Sequence, residues 1–212
     1  MLKNNKLKLV ISSVTILIPV IIGLILWNKL PTQMPVHWDI NGNVDGYTSK
    51  AFAVFILPCI LLILHLLCMI VTSTDKKNKE QNEKVFSLIF WIVPMISVLC
   101  CSMMYAFALG KIVNVSTFVS ILLGVVFIIV GNYMPKCKQN KTIGVKIKWT
   151  LENEENWNAT HRLCGKLWVA GGFATLLCIF LPKNIEHILT AIILAVVVIV
   201  PFIYSYLYSK RK

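Results

Sequence analysis

Acidic side chains are scarce in this chain of 212 residues: nine Asp and Glu stand against 21 Lys and Arg, and charged residues of both signs reach only 14%. A soluble domain carries about 25% charged residues. With 57% hydrophobic residues, the shortage excludes a water-facing surface over most of the chain and points to a bilayer. No H-E-x-x-H and no clustered Cys/His spacing occurs, and the four histidines (His37, His65, His161, His187) are far apart in sequence, so neither a metal site nor a cofactor is expected. His37 with Asp39 and Asp45 is the one set of metal-ligating types close together, too small for a committed site. Glu155 and His161 could exchange a proton, but no serine, threonine or cysteine occupies a recognisable nucleophile motif, so no enzyme chemistry is expected. The seven cysteines form no C-x-x-C pair and none falls in a segment expected to face outside. That excludes a disulfide framework and leaves them as small buried hydrophobes. An internal repeat is also lacking, which removes support for a transporter built of two similar halves.

What remains is long apolar runs. Six approach the roughly 20 residues a helix needs to cross a bilayer: Leu9 to Trp27, Ala51 to Thr72, Phe86 to Leu109, Ile112 to Tyr133, Leu163 to Leu181 and Ile188 to Tyr208. The first follows Lys3, Lys6 and Lys8 as a secretory signal would, yet it is too long and has no small-x-small site before Trp27, so it reads as an uncleaved anchor. Pro19, Pro58, Pro94 and Pro201 lie inside runs, tolerable where neighbouring helices satisfy the freed carbonyls. If the amino terminus is inside, cytoplasmic segments hold 16 basic residues and outer loops hold four, Lys29, Lys50, Lys111 and Lys183. This positive-inside asymmetry predicts an all-α integral membrane protein, a bundle of six transmembrane helices with both termini cytoplasmic. The same distribution explains the net charge of +12 without nucleic acid, since the basic residues are scattered over four segments. The division expected is a two-span region, residues 1–85, and a four-span region, residues 86–212.

Two polar segments interrupt this pattern. Met34 to Lys50, MPVHWDINGNVDGYTSK, is expected outside; Asn41-Gly42 and Asp45-Gly46 predict one or two tight turns. Trp38 and Tyr47 would rest at headgroup level, with Asp39 and Asp45 hydrated. The second segment lies inside and leads from Asn132 and Pro135 to Lys166. There Thr150 can cap a helix whose first turns hold Glu152, Glu154 and Glu155, running into the fifth span. Trp157, His161, Cys164 and Trp168 share one face of it, and the two tryptophans read as interfacial anchors. His65 is the ionisable group deepest in a span, expected to hydrogen-bond a neighbouring helix, with Asn132, Ser97 or Ser102 as candidate partners.

The run P-x-H-W-D-x-N-G-N-x-D-x-x-x-S-K, Pro35 to Lys50, resembles the outer-loop motif of a bacterial membrane domain that commonly precedes an SdpI-type immunity domain. The inner segment resembles that immunity family at Gly131, Asn132, Pro135, Lys136, Ile143, Gly144, Trp149, Thr150, Leu151, Glu155, Trp157, Thr160, His161, Arg162, Gly165, Lys166, Gly171 and Gly172. It departs at Lys146-Ile147-Lys148, where many members have Arg-Thr-Pro, and at Cys164, where glycine is usual. The resemblance implies a multi-pass protein of the bacterial cell membrane giving resistance to a secreted antimicrobial peptide or protein toxin. In some members it also implies sequestration of a transcriptional repressor at the membrane. Toxin binding is expected from the outer loop through His37, Trp38, Asp39, Asn41, Gly42 and Asp45. A signalling or structural role is expected from Asn132, Pro135, Gly144, Trp149, Thr150, Glu155, Trp157, His161, Arg162 and Lys166. The competing reading is a small permease exporting a peptide or solute.

Overall fold

The computed structural model describes residues 5–211, so Lys3 and Lys212 of the basic tails lie outside the described residues. Helices dominate. They are α1 (Lys6–Ile25), α2 (Leu57–Thr74), α3 (Glu83–Ala108), α4 (Val115–Tyr133), the short α5 (Lys148–Glu152), α6 (Glu154–Cys178) and α7 (Lys183–Lys210). Between α1 and α2 the chain forms an antiparallel hairpin of β1 (Gln33–Trp38) and β2 (Val44–Ser49), where tight turns alone were expected. Among the described residues, five helices are long and apolar enough to cross a membrane: Lys6–Ile25, Phe52–Thr74, Glu83–Ala108, Val115–Lys136 and Lys183–Lys210. The expected fifth span falls in α6, which is 25 residues long but opens on a polar stretch from Glu154 to Arg162 with Lys166 beyond it, and it is not among these five.

The chain divides into two compact units, each discontinuous in sequence: residues 1–73 with 87–116, and residues 74–86 with 117–212. In the first unit α1, the hairpin, α2 and most of α3 enclose a core of Leu30, Met34, Ala53, Val54, Cys101, Met104 and Tyr105. Pro19 removes a backbone donor from α1, and hydroxyls from α3 reach the carbonyls around it. Ser97 donates to the Ile16 carbonyl at 2.9 Å and Tyr105 to that of Pro19 at 3.0 Å. Ahead of Pro58 the helix widens into a π turn, Phe52–Ile56, which accommodates the missing N–H. His65 is fully buried and its Nε2 lies 3.0 Å from Ser12 Oγ on α1; the expected partners Asn132, Ser97 and Ser102 are not used.

In the second unit α6 packs against α7 and the turn Met134–Lys136 that follows α4. Small residues allow the approach: a Cβ on Gly172 would stand 2.6 Å from the Gly124 carbonyl oxygen, and one on Gly165 would stand 2.8 Å from that of Gly131. Without a hydrophobic drive between helices in lipid, such close contact is what holds them. Polar bonds add to it. Asn156 donates from Nδ2 to the Ser205 carbonyl at 2.9 Å, while the Ser205 hydroxyl and Thr160 hydroxyl both donate to Asn156 Oδ1 at 2.9 Å.

Candidate functional site

The hairpin owes its shape to Asp39. Its Oδ1 accepts the backbone N–H groups of Asn41 and Asn43 at 2.8 Å each, and its Oδ2 accepts Asn43 Nδ2 at 3.0 Å. These bonds, the Asn43 side chain first, hold the carboxyl below its usual range. Gly42 completes the turn at φ +85°, a left-handed conformation that glycine adopts without a Cβ penalty. Along the strands the register slips on either side of His37. There Gly46 faces His37 so closely that a Cβ would come within 2.8 Å of the histidine's own. Trp38 turns inward, edge-on to Phe107 with ring centroids 5.5 Å apart, and its Nε1 is buried without a hydrogen-bond partner. At the hairpin's end Lys50 donates to the Trp27 carbonyl at 2.9 Å and lies over that ring.

The six expected recognition residues therefore separate. Asp39, Asn41 and Gly42 build the turn and Trp38 anchors the hairpin to its unit. His37 and Asp45 remain exposed and paired across the strands, Nδ1 to Oδ1. Tyr47 and Ile40, 61% and 67% exposed, share this accessible surface and were missed as site residues. The signal for Tyr47 was available, since it lies two residues from Asp45 and so on the same strand face.

The long loop between α4 and α6 is held by side chains distant in sequence. Gln81 exchanges two bonds with the backbone of Lys138 (Nε2 to O 2.6 Å, N to Oε1 3.0 Å). Asp75 accepts the Lys141 N–H at 2.7 Å and that of Lys77 at 3.0 Å; these bonds, Lys141 first, lower its pKa. Asn140 closes the loop on itself, accepting from the Thr142 and Ile143 amides and donating to the Lys138 and Ile143 carbonyls. Trp157 enters this fold from α6, wholly buried, and donates from Nε1 to the Cys137 carbonyl at 2.7 Å. It is a core residue rather than an interfacial anchor. Burial pushes the Cys137 thiol up to about 11, which keeps it protonated and unreactive.

His161 stacks on Trp157 at 4.0 Å. Its Nδ1 donates to the Trp157 carbonyl at 2.8 Å and its Nε2 accepts the Val145 amide at 3.0 Å, so one neutral tautomer satisfies both. Burial depresses its pKa to about 4, the Trp157 carbonyl opposing the shift. Gly144 passes so close, at φ +102°, that a Cβ would collide with Nε2. Thr150 caps no helix for Glu154. Its hydroxyl instead accepts the Ile147 amide at 3.1 Å and donates to the Val145 carbonyl at 2.7 Å, while Asn153 caps α6 through the Asn156 amide at 2.9 Å. Trp149 packs on Phe202 and Tyr206 of α7, and Pro135 against Gly165. Of the expected residues, Asn132, Pro135, Glu155, Arg162 and Lys166 are exposed.

These features define a multi-pass cell membrane protein with a hydrogen-bonded polar hairpin in one unit and a tightly tied loop in the other. Residues 136–205 match the SdpI/YfhL protein family, and residues 14–62 match a domain of unknown function, DUF1648. Over 207 residues the chain is 27% identical to "Immunity protein SdpI" of Bacillus subtilis (strain 168), covering 96% of this chain and 97% of that relative. The resemblance to SdpI-like proteins is thus borne out along nearly the whole chain. No solved structure matches it.

Proposed function

We propose that this chain is an immunity protein that protects its own cell from a secreted antimicrobial peptide or protein toxin acting on the envelope. The observation that carries the reading is the likeness to an immunity protein along 96% of the chain, hairpin and long loop included. Protection would act by binding. The exposed His37–Asp45 pair with Tyr47 and Ile40 offers a carboxylate and two apolar groups to a cationic, amphipathic partner. Coupling to a cytoplasmic repressor would need two states of the protein with different toxin affinity. In a sensitive bacterium, expression should raise toxin tolerance while the toxin stays intact in the medium. At matched membrane abundance Asp45→Ala should weaken toxin binding and its salt dependence; Asp39→Ala should do the same by disordering the turn. Toxin cleavage by the purified protein, or full toxin binding by both variants, would overturn the reading.

We further propose six spans, with α6 completing the set, and both termini cytoplasmic. The 16-to-4 basic asymmetry supports this, and Lys166 of α6 would snorkel to the inner interface. A single cysteine at exposed Asn43 should react with an impermeant reagent in intact cells, and one at exposed Asn158 only after lysis. The reverse pattern would invert the topology.

A further inference from the structure

Glu186 lies in the first turn of α7, yet its side chain is wholly buried. Its Oε1 accepts the Ser120 hydroxyl of α4 at 2.8 Å and its Oε2 accepts Lys183 Nζ at 2.6 Å. The same ammonium donates to Thr117 Oγ1 at 2.9 Å. Carboxylate and ammonium are unequally enclosed: the Lys183 side chain is 43% exposed and the Glu186 side chain 0%. One turn along α7, Thr190 Oγ1 is buried with no hydrogen-bond partner.

We propose that Glu186, Ser120 and Thr117 form a recognition cup for a primary ammonium group, filled here by the protein's own Lys183. A buried carboxylate is costly unless paired and adds little net stability over an apolar pair, so one wholly buried at the start of an apolar helix is kept for more than stability. Exchanging one ammonium for another keeps the carboxylate neutralised, and Lys183, already half in solvent, can swing out into water. The incoming group is a lysine side chain or free amino terminus of a peptide. That ligand rests on the immunity reading, whereas the cup itself does not.

The test uses the full chain in phosphatidylcholine nanodiscs, whose quaternary headgroups have no N–H to donate. Lys183→Ala should lower the melting temperature, and n-butylammonium or a lysine-containing tripeptide should restore it saturably. Tetramethylammonium should not. The wild type should need a higher concentration than Lys183→Ala, because its own lysine competes. Adding Thr117→Val to Lys183→Ala should raise the half-saturating amine concentration about tenfold, because Thr117 Oγ1 accepts from the ammonium and a bond to a charged group is lost, and Glu186→Gln should abolish the response. A Lys183→Ala protein that ignores amines, or answers tetramethylammonium equally, would overturn the cup. So would an unchanged amine response in the Thr117→Val pair, which stays decisive if Glu186→Gln fails to fold. Full restoration by phosphatidylethanolamine alone would make the occupant a lipid and sink the peptide assignment. Toxin tolerance without an amine response refutes only the cup; an amine response without tolerance refutes only the immunity reading.

Discussion

Gly172→Val should lower stability by about 3 kcal/mol or more, a large share of the roughly 5–15 kcal/mol that holds a native domain. The first added carbon would stand 2.6 Å from the Gly124 carbonyl oxygen, 2.8 Å from Ile128 Cγ1 and 3.0 Å from the Ile128 amide nitrogen. Two of those three atoms are backbone. Relief therefore requires α4 and α6 to move apart, and with them the Leu176 and Trp168 contacts that lie over Gly124 and Gly131. In lipid the lost contact has no hydrophobic substitute, because the tails solvate the separated faces equally well. Phe173→Val, on the adjacent exposed position, serves as the control and should leave stability within about 0.5 kcal/mol. Denaturant titration of the two variants in micelles checks the difference. Equal stability would mean that the α4–α6 crossing does not depend on the small residues.

Acid should loosen the long loop through His161. Its pKa is about 4 in the folded protein against an ordinary 6.5, so between those values the unfolded chain binds the extra proton. The stabilisation is fully present above pH 6.5 and is lost as pH falls toward 4, by about 3 kcal/mol over the window. The structural cause is specific. A proton on Nε2 would face the Val145 N–H that Nε2 now accepts, turning a bond into a clash of two donors. His161→Gln removes the titration, so subtracting its stability–pH curve from that of the wild type isolates the effect from the carboxylates. A flat difference between pH 6.5 and 4 would show that the imidazole is solvated in the native protein.

The apolar runs were legible because lipid demands a fixed length of uncharged helix, and no other arrangement of such runs satisfies the backbone. The hairpin was hidden. Pro35, the slipped register around His37 and the glycine opposite it break the alternation by which a strand is read. Trp157 was placed on the correct helix face, but periodicity gives the face and not what covers it. A loop 20 residues upstream supplies the Cys137 carbonyl, so the residue is core. Asn153 and not Thr150 caps α6 because the Thr150 hydroxyl oxygen already accepts the Ile147 amide, while Asn153 Oδ1 accepts that of Asn156. The burial of Glu186 was hidden, since nothing local to it reveals Ser120, 66 residues away.

The partnership of Gln81 with Lys138 spans 57 residues, and that of Asp75 with Lys141 spans 66. Synthesis at about 5–20 residues per second separates their emergence by about 3–13 s. In the topology proposed above, the segment after α2 would wait on the ribosome's side of the bilayer through that delay, its side-chain acceptors hydrated, while α3 and α4 are being made. Maturation of residues 74–86 is thereby tied to a late event in translation, and a chain stalled before residue 138 would leave this segment as a target for cytoplasmic proteases.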